Sequence, residues 1–366
     1  MTFLDIIRHP LTNLPVSYSG SFREMLKERI SVFGRMIDGS TDLSGELNGR
    51  PFDSLTFKKR SKMLREGILK AIDIYYDGKP SDAYETLSNT LKQTNISEFL
   101  DKNHELQAGK NLYRIRTSSK NYALSRQELF HIPFQLRSKV STQRYSIPGL
   151  PSLYVANSIY VAWEELKRPA MSEIHANRLT NKNPMLLLDL TSDIFSKNDH
   201  LIDNDSHGLD LLYKVTIWPL VAACSVKVKE PNDPFKPEYI IPQLLLQWVN
   251  KNKVMGIKYS STHIDMSSSG HKGSFYNIVF PVHTFNLENG YCPVLSTWFQ
   301  STEVLPLQLR GFITQSDRLS HQSSISSFVN YDIQEICLIK GTLQPYSSTI
   351  FGILEHNLNG LEPENF

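Results

Sequence analysis

Along the first hundred residues the apolar positions recur at helical spacing. Phe22, Met25, Leu26, Ile30, Phe33 and Met36 fall on one stripe, with Arg and Lys between them, and predict a helix over 21–37. A second is predicted over 55–77 from Leu55, Leu64, Ile68, Ala71, Ile72 and Ile74. Between them, residues 38–51 are rich in Gly, Ser, Thr and Asn and read as a loop. Asp77-Gly78-Lys79-Pro80 stops the second helix, and Ser81 is the expected cap of a third, with Glu85 and Leu87 on its first turns. This helix–turn–helix has no second copy at a fixed period, which argues against a solenoid.

Past a polar stretch at 103–110 the pattern changes. Leu112-Tyr113-Arg114-Ile115-Arg116 alternates as a strand does, with its arginines on one face. Further strands are expected at 153–156, 185–190, 254–259 and 276–282, and helices at 158–166, 211–224 and 240–250. Pro219 is expected to kink or end the second of these, and Pro242 suits the first turn of the third. A Ser/Gly loop over 267–273 carries His271, and both His263 and His271 are expected to be exposed; the C-terminal end reads as loose. The reading is an α+β chain with an α-helical domain at 1–108 and a second domain at 109–366.

Composition narrows the functional classes. A net charge of +2 and 21% charged residues do not suggest direct nucleic-acid binding or adhesion to a membrane surface. Cys224, Cys292 and Cys337 are widely spaced, so they form neither a disulfide framework nor a zinc motif, and a reducing compartment is expected. The first residues lack a basic region ahead of a long apolar core, and no apolar run reaches spanning length, so a cytoplasmic location is expected. No His, Cys or carboxylate cluster has metal-ligand spacing, and no glycine-rich phosphate loop precedes a Lys-Ser/Thr pair.

Chemistry concentrates at 143–166. Arg144-Tyr145 leads into the turn Pro148-Gly149-Leu150-Pro151. The apolar Leu153-Tyr154-Val155-Ala156 follows, then a helical segment ending on Glu164 and Glu165. A short strand, a tight turn and a helix start bring separated side chains to one rim, where Arg, Tyr and Glu suit a phosphate-bearing substrate with a planar base.

The order Arg144, Tyr154, Glu165 and a distant Ser261 resembles the RES domain, a family named for its arginine, glutamate and serine. The matching pieces are Leu112-Tyr113-Arg114, Arg144-Tyr145, Leu153-Tyr154-Val155-Ala156, Glu165, Gly256-Ile257-Lys258-Tyr259-Ser260-Ser261 and Asn277-Ile278-Val279-Phe280, so the resemblance covers about 110–282. Ser260 stands where the family often has proline, and Glu164 beside Glu165 lets the glutamate assignment slip by one. The resemblance implies an ADP-ribosyltransferase-like fold and a bacterial toxin or phage-defence effector that destroys NAD. It further implies silencing by an antitoxin or immunity protein. NAD is then a substrate, and no cofactor or metal is called for.

On that basis Glu165, Arg144 and Tyr154 are the expected catalytic residues, and Arg114, Tyr145 and Ser261 the expected substrate-binding ones. Arg144 or Arg114 would cradle pyrophosphate through a bidentate fork. Tyr154 would stack on a ring or touch ribose. Glu165 would hold ribose hydroxyls and stabilise the oxocarbenium-like cation, and Ser261 would donate a hydrogen bond. Each has an ordinary reading beside it: ion-paired surface arginine, core tyrosine, solvated helix carboxylate, strand-end cap. Glu164 is expected to be the solvated carboxylate, and His131 a satisfied core histidine. Hydrolysis and phosphorolysis stay open. So do transfer of ADP-ribose to a macromolecule, a non-enzymatic nucleotide-binding or interaction module, and self-association into a homo-oligomer. The N-terminal helices are expected to regulate or position the enzyme without completing its site.

Overall fold

A computed structural model describes residues 1–41, 43–47, 50–96, 100, 104–119, 122–195, 208–250, 253–264, 266, 270–284, 286, 288–307, 332–339 and 342–366. Among them the α-helices are α1 (Phe3–Ile7), α2 (Phe22–Gly39), α3 (Ser54–Tyr76), α4 (Pro80–Gln93), α5 (Ile159–Glu165), α6 (Gly208–Cys224), α7 (Ile240–Asn250), α8 (Pro293–Trp298) and α9 (Ile350–Asn359). The strands are β1 (Gly45–Leu47), β2 (Arg50–Phe52), β3 (Glu105–Leu106), β4 (Asn111–Thr117), β5 (Ser152–Ala156), β6 (Ile174–Asn181), β7 (Met185–Leu190), β8 (Gly256–Ser260), β9 (Lys272–Gly273), β10 (Tyr276–Pro281), β11 (Phe299–Ser301), β12 (Leu305–Pro306), β13 (Ile333–Ile339), β14 (Thr342–Pro345) and β15 (Glu364–Asn365). The chain is thus α+β, with a helical N-terminal region. It divides into two compact units: 1–104, 142–147 and 188–253 form the first, and 105–141, 148–187 and 254–366 the second.

The first unit gathers around α6. Leu212, Tyr213, Val215, Ile217, Trp218, Leu220 and Val221 of that helix are all buried, so it is apolar on every side and requires a surrounding layer. The predicted stripes supply that layer: Phe22, Leu26, Ile30, Phe33 and Ile37 on α2, Leu64, Ile68 and Ile72 on α3, and Leu87 and Leu91 on α4 are buried. Phe33 stacks on Trp218 at 4.3 Å, and the Trp218 indole N–H donates to the Thr12 carbonyl at 3.0 Å. Gly67 lets α3 and α4 close together; a Cβ there would lie 2.1 Å from Thr90 Oγ1.

Several expectations are corrected here. α6 does not end at Pro219, one of the two outcomes expected there, but carries it inside the helix. The third helix starts at Pro80, behind Lys79 and with no side-chain cap, because proline suits the first helical position. The presumed loop after α2 contains the hairpin β1–β2. Residues 142–147 and 188–253 group with the N-terminal helices, whereas the sequence pattern assigned them to the domain after 108.

The second unit is built on a sheet of order β15-β11-β6-β4-β5-β10-β8-β7-β3, with β12 also on β6. Register sorts its faces. Ala156, Tyr154 and Ser152 of β5 stand opposite Asn277, Val279 and Pro281 of β10, and Asn277 stands opposite Tyr259 of β8. Directly opposed residues share a face, so Tyr154, Asn277 and Tyr259 do. Ala156, Tyr113 and Ile115 continue that face into a core with Ile159 and Val161 of α5 and Phe351, Leu354 and Leu358 of α9. The opposite face packs Leu112, Leu153, Val155, Ile278 and Phe280 against Phe130 and Leu295 of α8.

The C-terminal end is not loose. β15 pairs with β11, and Phe366 stacks on Phe130 at 4.1 Å. The buried Arg178 of β6 donates to the Leu358 carbonyl at 3.2 Å and the Leu361 carbonyl at 2.6 Å, a cation at the carboxyl end of α9. Of the Ser/Gly loop over 267–273, residues 267–269 lie outside the described residues.

Candidate functional site

The site begins where β5 turns into α5. Asn157 fastens the turn to β10: its Nδ2 donates to the Ser274 carbonyl at 2.8 Å, and its Oδ1 accepts the Tyr276 N–H at 3.2 Å. Ser158 caps α5 by accepting the Val161 N–H at 3.1 Å. The helix buries Ile159, Tyr160 and Val161 and ends on two carboxylates.

These carboxylates diverge, as residues one apart on a helix must. Glu165 Oε1 accepts two hydrogen bonds, from Ser261 Oγ at 2.6 Å and from Asn277 Nδ2 at 3.0 Å. Its Oε2 lies 3.9 Å from Nε2 of His263. The Glu165 side chain is 29% exposed and that of His263 is 43% exposed, so the second oxygen sits at a solvent-reachable rim. Ser261 follows β8 directly; its N–H donates to the Phe275 carbonyl at 3.1 Å, and its Oγ accepts the His263 N–H at 3.2 Å. Asn277 is 4% exposed and lies mid-strand in β10. One carboxylate oxygen is therefore fixed by two neutral donors, and the other is presented outward. A carboxylate so held can accept hydroxyl protons from a ligand or face a developing positive charge.

Glu164 corrects an expectation. It is 4% exposed and paired in a fork with Arg168, at 2.9 and 3.0 Å. The helix turn aims it toward the core, where the guanidinium partner makes the buried carboxylate tolerable. Lys167 and Arg168 take positive φ, 61° and 57°, which folds the chain back far enough to close this pair. Burial raises the Tyr160 phenol pKa well above its ordinary value, and the Glu164 charge adds to this.

Tyr154 is half-buried on the face that carries Asn277. Arg114, of opposite parity on β4, donates through Nη1 to the Tyr154 carbonyl at 2.6 Å. Only Tyr113 and Ala156 are in register between β4 and β5, and the guanidinium enters where ladder pairing stops. Burial pushes Arg114 down to about 10, with Arg116 adding to the fall and Tyr154 opposing it; its Nε has no partner among the described residues. His131 is the satisfied core histidine expected: 1% exposed, Nδ1 paired with the Ile132 carbonyl at 2.9 Å, and Nε2 accepting the Cys292 N–H at 2.8 Å.

Arg144 and Tyr145 belong to the first unit. Arg144 Nη1 donates to the carbonyls of Cys224 and Val226 at 2.9 and 3.0 Å, and its guanidinium lies 5.3 Å from the centre of the Tyr239 ring. Tyr145 is buried at 1% exposure, next in the chain to Arg144.

Sequence reasoning gave no role to Asn277, although an amide inside the otherwise apolar run Tyr276–Pro281 was a visible signal. It also passed over His263, as expected exposed but beside Glu165. His271 is buried, against expectation: its Nδ1 accepts the Cys337 N–H at 3.0 Å, and its ring packs beside Phe275 at 5.4 Å. Among the described residues no three His, Cys, Asp or Glu side chains gather as a metal-binding set, and no helix is long and apolar enough to cross a membrane.

The chain is 31% identical over 289 residues to "Putative toxin YopC" of Bacillus subtilis (strain 168). The similarity covers 74% of this chain and 63% of that protein, so the chain spans less than two thirds of the length of its curated relative. No family model and no solved structure matches it.

Proposed function

We propose that the second unit cleaves the nicotinamide–ribose bond of NAD, with Glu165 as the carboxylate at the ribose. The observation that carries this reading is the fixed Oε1 and outward Oε2 of Glu165, on the sheet face that also bears Tyr154. The pyridinium is a good leaving group, so the bond breaks with its electron pair passing to the nicotinamide nitrogen. What needs stabilising is the cation left on the ribose. Oε2 faces that cation or its hydroxyls, while Ser261 and Asn277 hold Oε1. Tyr154 supplies a ring surface on that face, and Arg114, on the other face of the sheet, braces the strand through the Tyr154 carbonyl.

Water at C1″, the carbon that carried the nicotinamide, then gives ADP-ribose and a proton, and phosphate gives ADP-ribose 1″-phosphate. Purified protein mixed with NAD should release nicotinamide, and a rate rising with added phosphate marks phosphorolysis. No release under either condition overturns the proposal. NAD carrying a labelled adenine, added to lysate, separates cleavage from transfer, since transfer leaves label on a macromolecule.

The toxin name of the relative supports a toxic role for this cleavage, and the absence of disulfides among the free cysteines Cys224, Cys292 and Cys337 suits a reducing cytoplasm. Induced expression should then lower cellular NAD before growth stops, and a cognate antitoxin or immunity protein should prevent both.

A further inference from the structure

We propose that Glu355, on the C-terminal helix α9, is a positioning residue for Glu165. This rests on the reading of Glu165 as the working carboxylate. Glu355 is 3% exposed, and its Oε1 accepts the main-chain N–H of Ile159, the first residue of α5, at 2.7 Å. The same oxygen accepts the phenol hydrogen of Tyr346, itself 2% exposed. The amino end of α5 is therefore closed from two sides, by Ser158 at Val161 and by Glu355 at Ile159. Glu165 is the last residue of that same seven-residue helix. A helix of two turns carries a shift at its amino end directly to its carboxyl end.

Local sequence builds the clamp. Thr349 caps α9 by accepting the Gly352 N–H at 3.2 Å. Gly352 leaves room for the preceding turn, since a Cβ there would lie 2.4 Å from the Tyr346 carbonyl oxygen. That close approach brings the Tyr346 phenol to Glu355. Phe351 then packs on α5 through Tyr160 and Trp163, at 5.4 and 5.2 Å between ring centres. A buried carboxylate is costly unless its oxygens are bonded, so apolar packing alone does not account for a glutamate here. Its acceptor, aimed at an otherwise unbonded helix N–H, does. A segment nearly two hundred residues downstream thus fixes the helix of the stretch 143–166.

The test uses the full-length protein and three variants. Glu355→Ala removes the acceptor, Glu355→Gln keeps an oxygen at the same place, and Tyr346→Phe removes only the phenol. Nicotinamide release is measured alongside amide hydrogen exchange of 159–165. In Glu355→Ala, kcat should fall at least about tenfold with KM within about twofold, as misplacement of a catalytic group does. Exchange across 159–165 should quicken while that of β10 stays slow. Glu355→Gln should recover most of both losses, and Tyr346→Phe should lie between. Unchanged exchange over 159–165 in Glu355→Ala overturns the clamp. Faster exchange with undiminished kcat overturns its tie to Glu165. If Glu355→Ala does not fold, Tyr346→Phe and Glu355→Gln carry the same comparison. A wild-type protein that releases no nicotinamide overturns the functional reading alone, and the exchange data still decide whether Glu355 holds α5.

Discussion

Arg144 of the first unit and Glu165 of the second are the two charged residues that the sequence singles out most strongly, and their surroundings differ in kind. Arg144 gives Nη1 to two main-chain carbonyls and lays its guanidinium over Tyr239. Glu165 is held by the side chains of Ser261 and Asn277, whose hydrogen bonds among the described residues reach one oxygen, while the other lies 3.9 Å from His263. Bonds to main-chain carbonyls tie a residue to the integrity of its own unit. Bonds from two neutral side chains to one oxygen orient a charge and leave its other oxygen available. The contrast separates polar groups whose capacity is consumed by the fold from those that the fold merely aims.

The largest effect that sharpens this contrast is at Glu165. Glu165→Gln keeps the size and one acceptor but removes the charge. Nicotinamide release should fall about 10²–10³-fold with the thermal midpoint little changed. Asn277→Ala, which only loosens the carboxylate, should cost about tenfold. Full activity in Glu165→Gln would break the comparison at its active end.

The next effect concerns His131, whose two ring nitrogens are both consumed. Burial lowers its pKa from 6.5 to about 4. The unfolded chain takes up a proton below about pH 6.5 that the folded chain refuses until about pH 4. Stability from this group is therefore complete above pH 6.5 and lost as pH falls through 4, by up to about 3 kcal/mol. Urea midpoints at pH 7 and 4.5 measure it. His131→Asn should be less stable at pH 7 but show a flatter pH dependence, and an equal slope in the two proteins would assign the loss elsewhere.

Arg144→Ala probes the consumed cation itself. Leaving two carbonyls unbonded should cost about 1–3 kcal/mol of stability. Nicotinamide release per folded molecule should change little if the arginine is only a tie. A large drop in release with an unchanged urea midpoint would instead restore it to the phosphate-binding role expected from sequence, and would call for the same assay on Tyr145→Phe.

What was legible in the sequence follows from range. Helical stripes such as Phe22–Phe33 and the alternation of β4 are local, and they reappear as α2 and β4. The α+β class and the helix ending at Glu165 were legible for the same reason. The burial of α6 among the N-terminal helices was not, because it depends on partners far along the chain. Nor were Glu355 and the C-terminal helix legible. Their role rests on one hydrogen bond between residues 159 and 355, and no spacing rule reaches that far. Asn277 lay between: its polarity inside an apolar strand was visible, but its partner Glu165 was not.

The smallest effect lies within α5, one residue from Glu165. Glu164 is buried and its charge is met by Arg168, whose own side chain is 62% exposed. Water reaches the guanidinium, so the pair gains less than a fully buried one, and its removal should cost about 1 kcal/mol. Arg168→Ala leaves the carboxylate buried without its fork and should be the more destabilising single change. Glu164→Gln removes the charge but keeps one acceptor oxygen for the guanidinium and should be the milder. Pairing the two in one protein gives the coupling energy, which should recover part of the Arg168→Ala loss. Neither variant should alter nicotinamide release beyond about threefold, because the helix stays clamped at Ile159 and Glu165 keeps Ser261 and Asn277. Release lost in Glu164→Gln as fully as in Glu165→Gln would mean that the two neighbouring carboxylates act as one unit, and the division between consumed and aimed groups would fail where they stand closest together.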